Sequence, residues 1–159
     1  MFERILVPLD GSKVGETALP LVEELMSKLA PGVKVEVTLL QVVSPLSHYV
    51  VGGETTAEVV YTDEEVEQIK GQAMAYLERA GEGLRSKGAI VQCKVGVGRA
   101  ADVIIKEVTD EIGADLVAMS THGRSGLSRW ALGSVTDKVL RSGKVPVLVV
   151  RASAGGEKP

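Results

Sequence analysis

The chain is nearly devoid of cysteine: Cys93 stands alone among 159 residues, so no intramolecular disulfide can form. No His/Cys spacing of the kind that ligates a metal is present either. Cys93 falls in the alternating apolar segment Ile90 to Val97 and reads as a core or half-buried thiol. Long hydrophobic runs are also missing. The longest, such as Val145 to Val150, are far short of the roughly 20 residues of a membrane-crossing helix. The opening Met-Phe-Glu-Arg-Ile-Leu-Val lacks the basic n-region and cleavage site of a signal peptide, so a cytoplasmic location is expected. Neither sign of charge dominates. A net charge of -3, with acidic and basic residues interleaved, offers no basic stripe for nucleic acid and no polybasic segment for an anionic membrane.

Several motifs are absent as well. There is no Gly-x-x-x-x-Gly-Lys-Ser/Thr, which excludes a Walker-type phosphate loop, and no Gly-x-Gly-x-x-Gly after the first strand, as a dinucleotide site requires. No nucleophile elbow occurs.

What is present is alternation. A hydrophobic content of 45% over this length supports one well-buried core and is too short for two ordinary domains. Arg4 to Leu9 is an almost continuous apolar run ending in Pro8-Leu9-Asp10-Gly11-Ser12, the pattern of a strand buried on both faces that stops at a polar turn. Leu19, Val22, Leu25 and Leu29 then recur at helical spacing before Pro31-Gly32. Val33 to Val43 reads as a second strand. Ser44 to Thr62 shows no period, contains Gly52-Gly53 and is expected to be a long functional or mobile connector. Val66, Ile69, Ala73, Leu77, Ala80 and Leu84 keep one helical face to Lys87-Gly88, with Thr62 and Glu65 forming a capping box at the start. Ile90 to Val95, Ala100 to Ile112, Asp115 to Met119, Gly133 to about Arg141 and Val145 to Val150 complete a strand-helix-strand-helix-strand series. Pro146 suits an edge strand.

This order predicts an α/β fold: a doubly wound five-stranded parallel sheet with helices on both faces, spanning residues 1–151 as one domain, with 152–159 as a disordered tail. Ligands of such sheets bind beyond the strand C-termini, which places Asp10 and Ser120 on one crevice. The segment Ala118 to Arg141 carries the chemistry. An apolar strand opens into a Gly/Ser/Arg loop with Gly123, Gly126 and Gly133, and a helix then starts at Gly133-Ser134. Glycines permit close backbone approach, and the donors of Ser125, Ser134 and Val135 face an anion favoured by the helix dipole.

The Ile-Leu-Val-Pro-Leu-Asp-Gly-Ser from Ile5, Val-Gly-Val-Gly from Val95, Thr-His-Gly-Arg-Ser-Gly from Thr121, Leu-Gly-Ser-Val from Leu132 and the Val-Pro-Val-Leu-Val-Val end resemble the universal stress protein family over nearly the whole chain. Nucleotide-binding members carry Gly, two residues, Gly, nine residues, then Gly with Ser or Thr. Here Gly123 and Gly133-Ser134 fit that spacing and Ser120 replaces the first glycine. The resemblance implies a Rossmann-like, adenine nucleotide alpha hydrolase-like sheet that binds ATP, with Mg²⁺ accompanying the triphosphate, and a homodimer built on the last strand, Val145 to Val150. Carried over by position, Pro8, Asp10 and Ser12 stand at the first strand end, with Asp10 near the ribose or a metal-bound phosphate. Val42 lines the adenine pocket and Gly98 approaches the ribose. Ser120, Gly123, Arg124, Gly133, Ser134 and Val135 surround the phosphates, and His122, between the strand and this loop, is a further candidate for the site.

Each of these residues has a plainer reading. Asp10 is also ordinary turn chemistry, and Gly133-Ser134 also a simple helix N-cap. His122 either reaches a phosphate or bonds the loop backbone, and the structural role is favoured because no partner marks it as an acid or base. Arg124 and Arg129 are phosphate forks or solvated side chains, Trp130 is expected to pack on helices or at a subunit contact rather than to form a lid over a ligand, and His48 is a solvated loop residue. No catalytic residue is assigned and no metal ligand is identified. The leading function is an ATP-dependent regulatory or stress-response dimer, beside two alternatives: a slow ATPase or autophosphorylating enzyme, and a nucleotide-free dimerisation module.

Overall fold

The computed structural model describes residues 2–51, 55–122 and 132–151. The chain runs through β1 (Arg4–Leu9), a 3-10 turn (Gly15–Thr17), α1 (Ala18–Ser27), β2 (Glu36–Val43), β3 (Leu46–Val51) and β4 (Thr55–Val60). It continues through α2 (Asp63–Ala80), α3 (Glu82–Ser86), β5 (Ile90–Val97), α4 (Ala100–Lys106) with a π-helical turn (Glu107–Glu111), β6 (Leu116–Ser120), α5 (Ser134–Ser142) and β7 (Val147–Val150). Five strands form one parallel sheet in the order β5-β2-β1-β6-β7.

Alternating side chains of the central strand divide between two layers, as the pleat requires. Ile5, Val7 and Leu9 pack with Leu39, Leu77, Leu84 and Val22 beneath α1, α2 and α3. Leu6, facing the other way, packs with Leu40, Ile104, Val117 and Val139 beneath α4 and α5. Leu6, Val7, Leu39 and Leu40 are wholly buried, which explains why these strands are apolar without a polar face. α2 begins as expected: Glu65 donates its amide to the Thr62 hydroxyl at 3.2 Å, and the Thr62 amide donates to the Glu65 carboxylate at 2.8 Å. Cys93 is half-buried. β7 pairs only with β6 and is an edge strand, as Pro146 suggested.

Three expectations are corrected. Ser44 to Thr62 is not a structureless connector: β3 and β4 pair antiparallel from Leu46↔Val60 to Val51↔Thr55, and His48 lies in β3 rather than in an irregular loop. The helix read through to Lys87 breaks at Gly81. A Cβ there would stand 2.9 Å from Val91 Cγ1 and 3.2 Å from Leu39 Cδ1, so glycine allows the α2–α3 junction to press onto the sheet. The helix read as Ala100 to Ile112 widens after Lys106, where the Ile112 amide reaches the Glu107 carbonyl at 3.0 Å in a π turn. The tail 152–159 lies outside the described residues.

Candidate functional site

β1 lies at the point where the chain reverses its direction across the sheet, with β2 on one side and β6 on the other. Crevices open beyond the strand C-termini at such switch points. Here the cause is visible in the register. β1 and β6 pair only through Ile5↔Leu116 and Leu6↔Val117, and Pro8, two residues on, has no amide hydrogen with which to extend a ladder. Beyond that point the strands frame a cavity of about 260 Å³.

Its walls differ in chemistry. Leu40 and Val42 from β2, Ala100 and Ile104 from α4, and Met119 from β6 make an apolar side. Asp10 and Gly15 follow β1 on the polar side, with Ser120, His122, and Gly133, Ser134, Val135 and Thr136 at the start of α5. Asp10 Oδ1 accepts from the Ser12 amide at 3.0 Å and from the Ser12 hydroxyl, whose own oxygen accepts from the Gly15 amide at 3.1 Å. Gly11 has φ +83° in this turn, a conformation glycine adopts without strain. The turn reading of Asp10 is therefore correct, and the turn holds the carboxylate at the cavity. A Cβ on Gly15 would stand 2.7 Å from Asp10 Oδ1, so only a glycine leaves the carboxylate this position.

At β6, the Thr121 amide donates to the Val150 carbonyl at 2.8 Å, and the Gly133 amide donates to the Thr121 carbonyl at 2.8 Å. The buried Thr136 hydroxyl donates to the Ser120 carbonyl at 2.9 Å. These bonds fasten the first turn of α5 to the end of β6. α5 has no side-chain N-cap: Gly133 fills the position, and a helix end without a capping side chain presents its first amides outward. Ser120 needs none of glycine's freedom, because no non-glycine residue among those described has positive φ. His122 Nδ1 meets the Thr121 hydroxyl at 2.9 Å, while Nε2 is buried without a hydrogen-bond partner among the described residues. A buried polar nitrogen left without a partner marks a position that a ligand atom can complete.

Of the residues expected at the site, the structure brings Pro8, Asp10, Val42, Ser120, His122, Gly133, Ser134 and Val135 to this cavity. Ser12 stands behind it, holding Asp10. Gly98 is not in the lining; its φ of +138° shapes the turn from β5 into α4, and its amide donates to the Val43 carbonyl at 3.0 Å. Gly123 and Arg124, with Ser125, Gly126, Arg129 and Trp130, lie outside the described residues. Sequence reasoning missed Leu40, Ala100, Ile104 and Met119, whose apolar periodicity is that of ordinary core. It also missed Gly15 and Thr136, which sit three residues beyond Ser12 and two beyond Ser134. Among the described residues no three His, Cys, Asp or Glu side chains converge as a metal site, and no helix is long and apolar enough to cross a membrane.

A parallel sheet with its crevice at the switch point, where an apolar wall faces a helix N-terminus without a capping side chain, defines an open, doubly wound α/β domain. The chain belongs to the universal stress protein family, whose model matches residues 1–151. It is 30% identical over 156 residues to universal stress protein YxiE of Bacillus subtilis, covering 95% of this chain and 100% of that one. It is also 30% identical over 161 residues to universal stress protein MJ0577 of Methanocaldococcus jannaschii, covering 95% and 96%. The solved structure of MJ0577, reported as a structure-based assignment of biochemical function, superposes with a TM-score of 0.74 at 27% identity over 98% of this chain and 99% of that one. A universal stress protein in complex with cAMP shares the fold, with a TM-score of 0.63 at 22% identity over 96% and 98% of the two chains.

Proposed function

We propose that the chain binds an adenine nucleotide in the cavity between β1, β6 and α5, that ATP with Mg²⁺ is the ligand, and that it acts in the cytoplasm as a nucleotide-dependent regulatory dimer in a stress response. The carrying observation is the two-sided cavity: apolar residues on β2, α4 and β6 face the α5 N-terminus and the unpartnered His122 Nε2. Val42 and Ile104 suit the faces of a purine ring. The first amides of α5 and the Ser134 hydroxyl suit phosphate oxygens. His122 Nε2 completes its hydrogen bonding on the same ligand. A volume of about 260 Å³ suits a nucleoside more than a whole triphosphate, so the phosphates occupy the rim at Gly133 and Ser134. Gly133 fits this role because a side chain there would already press on the Thr121–His122 backbone.

Among the described residues Asp10 is the one carboxylate lining the cavity and is the residue on which Mg²⁺ would rest, its own position set by Ser12 and Gly15. Mg²⁺ bound to the phosphates supplies charge neutralisation and keeps waters of its own, so it needs few protein ligands. The cAMP complex of a protein of this fold supports an adenine ligand. Association through β7 rests on its open edge and its half-buried valines, Val147, Val149 and Val150.

Calorimetry on nucleotide-stripped protein with ATP and Mg²⁺ tests the reading. Micromolar binding, reduced at least tenfold by Val42→Asp and by His122→Ala, is expected. No heat of binding for the parent protein overturns it. For the dimer, Val147→Lys is expected to yield a folded monomer by light scattering, and an unchanged dimer mass overturns the β7 seam.

A further inference from the structure

The chain has two histidines: His48 on β3 and His122 at the cavity. Histidine is the side chain whose charge ordinarily changes between about pH 5 and pH 8, and among the described residues His122 is the one of that kind in the cavity lining. It follows a residue pinned on both sides. The Thr121 amide is bound to Val150 and its carbonyl to Gly133, each at 2.8 Å, so the end of β6 cannot swing. The ring stands beside the start of α5, where a Cβ on Gly133 would come within 3.7 Å of His122 Cα.

The two ring nitrogens are held differently. Nδ1 meets the Thr121 hydroxyl at 2.9 Å, and Nε2 is buried with no partner among the described residues. A backbone carbonyl at Nδ1 would fix a proton there. A hydroxyl both donates and accepts, so it serves Nδ1 with or without a proton and leaves the state of Nε2 to whatever fills the cavity. The charged groups on the surrounding elements are largely engaged with one another. Glu16 after β1 holds Lys13 at 3.1 Å, Asp102 on α4 holds Lys138 of α5 at 2.6 Å, and Asp137 on α5 holds Arg141 at 2.9 Å. Arg151 after β7 is exposed, and Asp10 is the charged side chain that shares the cavity lining with His122 among the described residues. An imidazolium with nothing to accept from its buried Nε2 is an unpaired charge; beside a phosphate oxygen the same charge is paired and hydrogen-bonded.

We propose that nucleotide binding at this cavity is coupled to acidity through His122: the ring takes one proton from the solvent as the nucleotide enters, Nε2–H donates to a phosphate oxygen, and Nδ1–H donates to the Thr121 hydroxyl. The inference rests on the nucleotide reading above. A ligand that favours the protonated ring binds more tightly where protons are available, so affinity rises as pH falls and weakens as it rises. The domain then responds to nucleotide and to acidification through one side chain.

Calorimetry on the nucleotide-stripped full chain with ATP and Mg²⁺, at about pH 6, 7 and 8 and in two buffers of different ionisation enthalpy at each, tests the proposal. His122→Gln is the comparison, because its amide supplies a neutral donor and the titration of the nucleotide's own phosphates is common to both proteins. The ratio of parent to His122→Gln affinity is expected to be roughly tenfold greater at the acidic end than at the alkaline end. The parent's heat should change with buffer more than the variant's does, and His48→Gln should behave as the parent. Ring ¹⁵N spectra of the parent, with two histidines to assign, are expected to show His122 gaining a proton when ATP is added at neutral pH. These spectra need no variant, so they decide the matter even if His122→Gln fails to fold. ATP binding with equal pH dependence in both proteins, or with no proton gained by the ring, overturns the coupling and leaves the nucleotide reading standing. No heat of binding at any pH overturns both.

Discussion

The Gly133 amide donates to the Thr121 carbonyl at 2.8 Å, and a Cβ on Gly133 would stand 3.2 Å from that same oxygen. The contact that ties α5 to β6 is also the contact that crowds a side chain.

Gly133 variants should therefore lose stability as well as ligand. Gly133→Ala is expected to cost about 1 kcal/mol, from a poorer N-cap and a tight approach to backbone. Gly133→Val is expected to cost about 2 kcal/mol by overpacking and to abolish nucleotide binding. Urea midpoints and calorimetry on the same samples separate the two effects.

Gly15→Ala moves the Asp10 carboxylate, since the new Cβ would stand 2.7 Å from Oδ1. Gly15 has no positive φ, so the backbone itself tolerates alanine. A stability loss of about 1 kcal/mol from the disturbed Asp10–Ser12 bonds is expected, with a tenfold fall in ATP affinity in the presence of Mg²⁺. Unchanged affinity would detach Asp10 from the ligand.

Lys94→Met leaves the Glu107 carboxylate, whose side chain is 8% exposed, without its cation. Removing one partner of a buried pair is strongly destabilising, but Lys94 itself is 36% exposed, so about 2 kcal/mol is expected. Adding Glu107→Leu should recover most of it, and a double-mutant cycle by urea denaturation reads the coupling.

Lys138 on α5 donates to Asp102 on α4 at 2.6 Å. That hydrogen bond, and then the lysine charge, hold the Asp102 carboxyl below its ordinary value of 3.8. A depressed folded-state value adds stability that is complete above the unfolded value and disappears as pH falls through the lower, folded one. The stability difference between the parent and Asp102→Asn should thus be constant above about pH 5 and shrink towards zero in more acidic buffer. A difference that stays constant down to strongly acidic pH contradicts the pairing.

The sequence made the strands of the main sheet legible because strands buried on both faces are continuous apolar runs, as at Ile5-Leu6-Val7 and Leu116-Val117-Ala118. It also placed Asp10 and Ser120 on one crevice, since both follow such runs. Helix breaks were hidden where periodicity continues across them: Leu84 is wholly buried, in phase with Leu77, although Gly81 divides α2 from α3. The hairpin was hidden for the opposite reason. Tyr49-Val50-Val51 and Val59-Val60-Tyr61 are strand formers about a Gly-Gly, a usable hairpin signal, but the segment shows no strict apolar alternation. Of the apolar half of the cavity only Val42 was legible, through the family resemblance; Leu40 and Ile104 were not, because they serve the core and the pocket with the same side chains.

Among the described residues the hairpin formed by β3 and β4 shares no ladder with the main sheet, and the Tyr61 amide returns to the Pro45 carbonyl at 3.0 Å. The chain thus departs from the domain and rejoins it at a single doorway just past Val43. An appendage mounted this way has the character of a cassette: the strand order, both cores and the Pro8–Ser120 crevice are each built from residues outside it. The hairpin is where this domain is free to acquire a new surface without refounding its architecture.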